Sequence, residues 1–124
     1  MYKLYVDASK TATAVTLGYV IHKDDKTIAK GFHTIVSYKI DSNLAEYEAV
    51  YEGLRRVLDI GSYKVILYTD SRSVADHLMG LKKVTNKKKL HIFTKIRTLL
   101  KEFDSYEIYW IPESMNREAH RETK

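Results

Sequence analysis

The sequence predicts an α/β domain built on a mixed β-sheet, in which three antiparallel strands are followed by parallel strands and helices cover both faces. Two observations support this prediction. The N-terminal third contains three runs rich in β-branched and aromatic residues, joined by short polar turns, as in an antiparallel meander. The rest of the chain alternates between strand-like and helix-like spacing of apolar residues, which favours β-α-β units with parallel strands. We expect all 124 residues to form this single domain.

Five segments are predicted as strands from their β-branched and aromatic content. The fourth is a near-continuous apolar run, which is typical of a strand covered on both faces. Trp110, in the fifth, is interpreted as a core residue. The tyrosines, ten in all, are interpreted as packing residues because most occupy periodic positions. The predicted strands are residues 2–6, 14–22, 27–38, 64–69 and 106–111.

Helical spacing of apolar residues predicts three helices and the start of a fourth. Asp41 and Ser42 are both suitable N-caps for the first helix, and Gly61 ends it. The start of a helix after Asn116 is marginal unless it packs against the domain. The predicted helices are residues 42–60, 71–79 and 90–103, with a lysine-rich loop at residues 81–89 and the fourth helix in residues 116–124.

Composition excludes several classes of function. The chain contains no cysteine, which excludes disulfides, thiolate metal sites and a cysteine nucleophile. It contains neither a glycine-rich phosphate loop nor a Gly-x-Ser-x-Gly elbow. No apolar run is long enough to cross a membrane, and the first residues lack the apolar stretch of a signal peptide. We therefore expect a cytoplasmic protein with no membrane partner.

Positive charge is concentrated in one segment. The net charge of the chain is +5, but residues 70–101 carry +7 and the remainder carries −2. This asymmetry favours a polyanionic partner, because phosphate contacts dominate nucleic-acid affinity. The alternative is a solvated basic face without a ligand. The lysines nearest the predicted loop are Lys82, Lys83, Lys87, Lys88 and Lys89.

Carboxylates are placed where a metal site is expected. Asp7 and Asp70 each follow directly on a predicted strand, and Glu46 lies in the first turns of the first long helix. If the two strands are parallel neighbours, both aspartates lie at the same edge of the sheet, where ligands of such sheets collect. Taken singly, each has a structural alternative: a turn or helix cap for the aspartates and a dipole partner for the glutamate. Together they favour a divalent cation, which would relieve their mutual repulsion.

The order of these motifs resembles that of type 1 ribonuclease H. The resemblance is carried by Leu-Tyr-Val-Asp ending at Asp7, Asn-Leu-Ala-Glu-Tyr around Glu46, and Leu-Tyr-Thr-Asp-Ser around Asp70. Trp-Ile-Pro followed by Asn-Arg-Glu-Ala from Asn116 extends it nearly to the end of the chain. The resemblance implies a ribonuclease H-like fold with a five-stranded mixed sheet. It also implies an endonuclease that cuts the RNA strand of an RNA–DNA hybrid.

The resemblance further implies a two-metal mechanism with Mg²⁺ or Mn²⁺. Asp7 would bridge the two ions, whereas Glu46 and Asp70 would each hold one. Two ions would activate the attacking water and stabilise the leaving oxygen. No obligate protein partner is implied; the expected partner is the hybrid itself.

The chain departs from the family pattern at the fourth ligand. The family's last block usually reads Asn-x-x-Ala-Asp, and here His120 occupies the position of that aspartate. Three interpretations stay open. His120 binds the second metal, which favours Mn²⁺ because Mg²⁺ prefers oxygen. Alternatively, Glu118 or Glu122 replaces the missing carboxylate. In the third interpretation the site is weakened and the protein mainly binds nucleic acid.

Substrate contacts are also implied by the resemblance. Asn43 and Ser71 correspond to contacts with the RNA strand, and Asn86 resembles an asparagine of the substrate-binding loop. Asn43 has an equally good interpretation as a helix N-cap. The five lysines of the basic segment suit phosphate contacts, since long side chains with a single charge position a backbone rather than read bases. A distant alternative is a structural or partner-regulating domain without nucleic-acid affinity.

Overall fold

A computed structural model describes residues 1–36 and 41–124. Its centre is one five-stranded sheet in the order β3-β2-β1-β4-β5. Neighbouring strands pair antiparallel between β3, β2 and β1, and pair parallel between β1, β4 and β5, which confirms the predicted mixed sheet. The strands are β1 (Tyr2–Lys10), β2 (Ala14–Lys23), β3 (Lys26–Val36), β4 (Lys64–Thr69) and β5 (Ser105–Trp110).

Four α-helices complete the described chain. The first begins after Asp41, whose side chain accepts a hydrogen bond from the backbone N–H of Leu44, and it ends at Gly61 in the left-handed conformation. A short 3₁₀ turn, Glu113–Met115, precedes the last helix. The α-helices are α1 (Ser42–Ile60), α2 (Arg72–Leu78), α3 (Lys87–Leu100) and α4 (Arg117–Glu122). None of the helices in residues 1–36 and 41–124 is long and apolar enough to cross a membrane.

Several predicted boundaries were wrong or fall outside the description, among them the end of α3, which is Leu100 rather than residue 103. Strand β1 continues past Asp7 to Lys10, because β2 offers antiparallel partners as far as Val15. Helix α3 begins at Lys87 rather than residue 90, because Asn86 caps it by accepting from the backbone N–H groups of the second and third helical residues. The predicted end of β3 at Tyr38 lies outside the described residues.

Helix α1 packs closely on the centre of the sheet. Gly53 makes this approach possible, since a Cβ there would lie 2.8 Å from Val6 Cγ1 and 2.9 Å from Leu4 Cδ1. The side chains of Leu4 and Val6 are fully buried beneath the helix. Helix α3 packs beside α1 and buries Ile96 in the same core. This packing brings the N-terminal turns of α1 to the edge of the sheet where β1 and β4 end their parallel pairing.

The opposite face of the sheet is covered less completely. Alternate residues of β4 are fully buried, whereas Tyr68 is half-buried and stacks between Tyr5 and Tyr109, with ring centroids 4.8 and 5.9 Å away. The prediction that β4 is fully covered on both faces was therefore wrong. The three rings stack on one another, which supports the interpretation of these tyrosines as packing residues.

Trp110 is not a core residue, contrary to the prediction from sequence. It is 37% exposed at the last position of β5, its indole N–H donates to the carbonyl of Asp70, and the guanidinium of Arg72 lies 4.1 Å from its ring centroid. The strand pattern did not distinguish a core position from a position at the end of an edge strand.

Helix α4 is anchored to the sheet at Gly18 of β2. A Cβ at Gly18 would lie 2.6 Å from the carbonyl oxygen of Ala119 and 2.9 Å from Thr123 Cγ2. Ala119 is fully buried in this contact. Gly18 stands opposite Asp7 in the β1–β2 ladder, so this contact also places α4 beside Asp7. Packing on the sheet therefore holds a helix that is too short to be stable alone.

Replacing Gly18 with alanine is expected to push α4 away from the sheet. The added methyl overlaps backbone as well as side-chain atoms, so we expect a loss of about 1–3 kcal/mol in the free energy of unfolding. Denaturant titration of Gly18→Ala measures this loss. Ala14→Ser, which adds one atom to the same face of β2 further along the strand, is the matched control. Equal stability of the two variants would contradict the close contact at Gly18.

Candidate metal centre and active site

Two aspartates lie at the same edge of the sheet. The parallel ladder between β1 and β4 ends at the pair Val6 and Thr69, so Asp7 and Asp70 are the next residues on adjacent strands. Asp7 is 5% exposed, and Asp70 is half-buried. The sheet register therefore brings together the two carboxylates that the sequence indicated.

Glu46 completes a cluster of three carboxylates. It extends from the second turn of α1, and one oxygen from each of Asp7, Glu46 and Asp70 lies within 4.8 Å of the other two. Its Oε2 atom is buried and has no hydrogen-bond partner in the described part of the chain. A buried carboxylate oxygen without a partner is costly unless a ligand satisfies it. Carboxylate oxygens from separate elements are the donors that hard divalent cations require.

Crowding and burial shift the titration of this cluster. Burial, followed by the charges of Asp7 and Asp70, raises the pKa of Glu46 to about 9. Burial and then the charge of Asp7 also raise the pKa of Asp70 above its usual range, against the opposing effect of a hydrogen bond from Asn116. Without a cation, the three groups resist being ionised together at neutral pH. The residues present therefore fit a divalent metal ion.

Asn116 is a further site residue. The sequence indicated it only as part of the closing motif and as the start of the last helix. It is 1% exposed, and its Nδ2 atom donates to the carbonyl of Val6 at 2.7 Å and to Asp70 Oδ2 at 3.2 Å. The side chain thus ties the start of α4 to β1 and orients the Asp70 carboxylate. Its place in the closing motif, one helical turn before His120, was the signal available in the sequence.

His120 contacts the cluster through Asp7. Its Nδ1 atom lies 2.7 Å from Asp7 Oδ2, and the imidazole is outside the group of three mutually close carboxylates. Glu118 and Glu122 do not replace the missing acid in this arrangement. Glu118 pairs with His22 at 3.1 Å, and Glu122 lies 4.0 Å from Lys30.

The comparisons with known proteins agree with this geometry. The sequence model of the family described as reverse transcriptase-like matches residues 5–123. The chain belongs to this family. Its fold is ribonuclease H-like. Ribonuclease H1 from the halophilic archaeon Halobacterium salinarum NRC-1 superimposes with a TM-score of 0.91 at 26% identity, over 97% of this chain and 92% of that one.

Two further structures share the fold. LC11 ribonuclease H1, solved in complex with an RNA/DNA hybrid, superimposes with a TM-score of 0.89 at 22% identity, over 98% of this chain and 92% of that one. The N-terminal ribonuclease H domain of Rv2228c from Mycobacterium tuberculosis superimposes with a TM-score of 0.88 at 22% identity. The match covers 97% of this chain and 88% of that one. The curated bifunctional protein Rv2228c is 26% identical over 80 residues, which cover 64% of this chain and only 22% of that protein.

The predicted substrate residues of this ribonuclease H-like domain occupy helix starts. Asn43 lies in the first turn of α1 and is not its N-cap, so that interpretation was wrong; its Oδ1 atom is buried without a partner among the described residues. Ser71 caps α2 by accepting from the N–H of Val74, so Asp70 is not the cap. Asn86 caps α3. The cap interpretations of Asn43 and Asp70 were therefore wrong, whereas Ser71 and Asn86 are caps that were not predicted from the sequence.

The five lysines lie around α2 and α3. Lys82 lies 3.7 Å from Asp76, and Lys83 is exposed in the connection that follows α2. Burial, followed by the charges of Lys89 and Lys82, lowers the pKa of His77 at the end of α2. Lys87, Lys88 and Lys89 form the first turn of α3 rather than a loop.

The raised pKa of Glu46 predicts a pH-dependent stability of the metal-free protein. Because its pKa in the folded protein, about 9, exceeds the ordinary 4.5, the folded state holds this proton more tightly than the unfolded state. The contribution of Glu46 to the free energy of unfolding should be highest at pH values below its ordinary pKa of 4.5. It should fall as the pH rises towards 9. Glu46→Gln should remove this slope and stabilise the metal-free protein at pH 8 by about 1–3 kcal/mol.

Urea unfolding in EDTA at several pH values measures the effect. Glu107→Gln, at an exposed position of β5, is the control and should leave the slope unchanged. Added Mg²⁺ or Mn²⁺ should stabilise the wild type and have less effect on Glu46→Gln. A wild-type stability that is flat between neutral and alkaline pH would contradict the crowding of these carboxylates.

Proposed function

We propose that the protein is a divalent-metal-dependent endonuclease that hydrolyses the RNA strand of RNA–DNA hybrids. The observation that carries this proposal is the convergence of Asp7, Glu46 and Asp70 within 4.8 Å on a ribonuclease H-like fold. A structural neighbour, LC11 ribonuclease H1, was solved with an RNA/DNA hybrid, which supports the substrate class. Fold alone does not define an activity, so the proposal depends on the carboxylate site.

The three carboxylates would hold Mg²⁺ or Mn²⁺, with two ions expected when substrate is bound. When bound, these cations supply Lewis-acid activation of water and neutralise charge on the phosphate. The orphaned Oε2 atom of Glu46 and the shared negative charge of the cluster both favour cation binding. Asp7 would hold the cation together with Glu46 and Asp70, since oxygens of the three residues lie within 4.8 Å of one another.

The chain's own side chains prepare this site in two ways. Asn116 donates to Asp70 Oδ2 and so leaves the other oxygen of that carboxylate available to a ligand. His120 Nδ1 bonds Asp7 Oδ2 and so leaves the other oxygen of that carboxylate available to a ligand. Burial of Asp7 and Asn116 keeps these contacts away from bulk water, which strengthens them. The geometry therefore orients the carboxylates before any ligand binds.

The lysines of α3 support a polyanionic substrate. The first turn of α3 contains three lysines and no acidic residue, although a helix N-terminus favours negative charge. A nucleic-acid phosphate near this turn would relieve the unfavourable arrangement. The exposed Lys83 and the nearby Lys82 would extend the same contact. We propose that Asn43 and Ser71 contact the RNA strand, while Asn86 shapes the start of the basic helix.

A second candidate function is hybrid binding without efficient cleavage. It is favoured by His120, which stands at the fourth-ligand position and bonds Asp7 instead of joining the carboxylate group. A neutral imidazole is a poorer Mg²⁺ ligand than a carboxylate but a better match for Mn²⁺. In this alternative the hybrid would bind at the carboxylate cluster and the lysines of α3. Cleavage of the RNA strand would be slow because the second metal ion would be held weakly.

Cleavage of a labelled RNA–DNA hybrid separates the two candidates. We expect the wild type to cut the RNA strand, faster in Mn²⁺ than in Mg²⁺, and Asp70→Asn to lose at least about a hundredfold in rate because a metal ligand is removed. His120→Asp should raise the rate in Mg²⁺ and reduce the preference for Mn²⁺. Glu107→Gln, which lies outside the site, is the control for an unspecific charge change.

The outcomes differ between the two functions. If the wild type is inert in both metals and His120→Asp cuts, the protein is a binder with a weakened site. If neither protein cuts any hybrid, the nuclease proposal fails. Cutting of the DNA strand instead would contradict the proposed substrate.

The basic start of α3 gives a separate prediction for binding. Replacing the lysines of residues 87–89 with glutamine should weaken hybrid binding and reduce the slope of log Kd against log salt by about 0.7–0.9 for each phosphate that is no longer neutralised. Fluorescence anisotropy in EDTA measures both quantities without cleavage. The matched control replaces Lys23, Lys26 and Lys64, which lie at the opposite end of the sheet. Identical salt slopes for the two triple variants would rule out this contact.

A further inference from the structure

Helix α4 carries two glutamates and two arginines. Glu118 and Glu122 face β2 and β3, where Glu118 Oε2 lies 3.1 Å from His22 Nε2 and Glu122 lies 4.0 Å from Lys30. Thr27 also donates to Glu118 at 3.4 Å. The acidic side of the helix is therefore matched by groups of the sheet.

The two arginines of α4 are Arg117 and Arg121. They are spaced four residues apart, so they lie on one face with about 5–6 Å between their Cβ atoms. Both are exposed, and neither forms an ion pair with another residue in 1–36 or 41–124. Together with His120, Ser114 and Glu113, they line a cleft of about 430 Å³. The cleft is thus bordered by two guanidinium groups that have no acidic partner within those residues.

This cleft adjoins the carboxylate cluster. His120 lines it and also bonds Asp7 Oδ2 at 2.7 Å. Beside the larger effects of burial and Asp7, Glu113 raises and His120 lowers the pKa of Asp70, and both residues line the cleft. A strand whose phosphate lies at Asp7 and Asp70 would therefore pass His120 and reach the arginines next.

The chemistry of the cleft indicates phosphate in a polymer. Guanidinium groups form paired hydrogen bonds with phosphate oxygens, and the Ser114 hydroxyl adds a further donor. The carboxylate of Glu113 on the rim disfavours a small free anion. A nucleic-acid strand overcomes that disadvantage because its other phosphates are bound elsewhere on the protein.

We propose that Arg117 and Arg121 form a phosphate-binding site for the nucleic-acid strand being cut, next to the scissile phosphate on the α4 side of the carboxylates. This inference rests on the proposed function, since it takes the RNA strand of the hybrid as the ligand. The site is a positioning device: it holds backbone phosphates and does not touch the reacting atoms.

Hybrid binding in EDTA tests the site without cleavage. The double variant Arg117→Gln with Arg121→Gln should weaken binding of an RNA–DNA hybrid by at least about tenfold, since removing each charged contact accounts for a factor of that order. The matched control changes Arg55 and Arg56 to glutamine, which removes the same charge from the C-terminal half of α1. Lysine at positions 117 and 121 should restore part of the affinity, because it keeps the charge without the paired geometry.

Neutral methylphosphonate linkages, placed one at a time along the RNA strand, locate the contact. One or two positions beside the cleaved bond should weaken binding by the wild type and have no effect on the double arginine variant. If the double variant binds like the Arg55 and Arg56 control, the phosphate site is overturned. If linkages beside the cut affect both proteins equally, the arginines do not contact those phosphates, and the inference also fails.

The same measurements distinguish this inference from the proposed function. Arginine-dependent binding with no cleavage in either metal would support the phosphate site and overturn the nuclease. Cleavage with arginine-independent binding would support the nuclease and overturn the site. A wild type that neither binds nor cuts a hybrid would overturn both. Thermal unfolding of each variant checks that the exposed substitutions leave the fold intact.

Discussion

The close approach of three partly buried carboxylates is the constraint around which this domain is arranged. Asp7, Glu46 and Asp70 come from two strands and a helix, and no two of them belong to the same element. Burial, followed by the charges of Asp7 and Asp70, raises the pKa of Glu46 to about 9, so ionising all three groups opposes folding. The fold tolerates this cost because Leu4, Val6 and the other core residues beneath α1 bury a continuous apolar surface. Function and stability are therefore opposed at this edge of the sheet, and a divalent cation would reconcile them.

Helix α4 contacts both Gly18 of β2 and the carboxylate cluster. Its contact with Gly18 requires a residue without a side chain, and the pairing of Gly18 with Asp7 sets the distance from the helix to the carboxylates. The imidazole of His120 reaches Asp7 only because the helix is held there. One short helix thus provides an anchor at Ala119, the contact of His120 with Asp7 and two exposed arginines, Arg117 and Arg121. Loss of the anchor would disturb all three together.

The substitution of histidine for the fourth carboxylate changes the electrostatics of the site as well as its ligands. With three carboxylates rather than four, the cluster carries less negative charge, and the proposed cations would be held less tightly. Among the three later helices the net positive charge lies on α3, which carries four lysines, one arginine and no acidic residue. Under the proposed function, three carboxylates would bind the metal ions less tightly than four, while the lysines of α3 would still bind the polyanion. The two candidate functions then differ only in how tightly the cations are held.

Much of the fold was predictable because its signals are local. Apolar periodicity, the caps at Asp41 and Gly61 and the turn before β3 identified the elements and their order, and the motif order identified the three carboxylates before any geometry was known. Boundaries were less predictable where a neighbour decides them: β1 runs beyond Asp7 because β2 supplies hydrogen-bond partners, and the basic loop becomes the first turn of α3 because Asn86 caps it. Trp110 was misinterpreted because a strand pattern does not reveal which strand is at the edge.

By itself, the sequence determined which elements form, which family they belong to and which acidic residues are candidates, because propensity and spacing are properties of neighbouring residues along the chain. Only the tertiary structure decided how these residues meet. It determined that His120 bonds Asp7, that Glu118 and Glu122 face away, that Asn116 orients Asp70 and that the arginines of α4 have no acidic partners among the described residues. These facts depend on contacts between residues far apart in the chain, such as Gly18 and Ala119, and local sequence patterns carry no information about such distances.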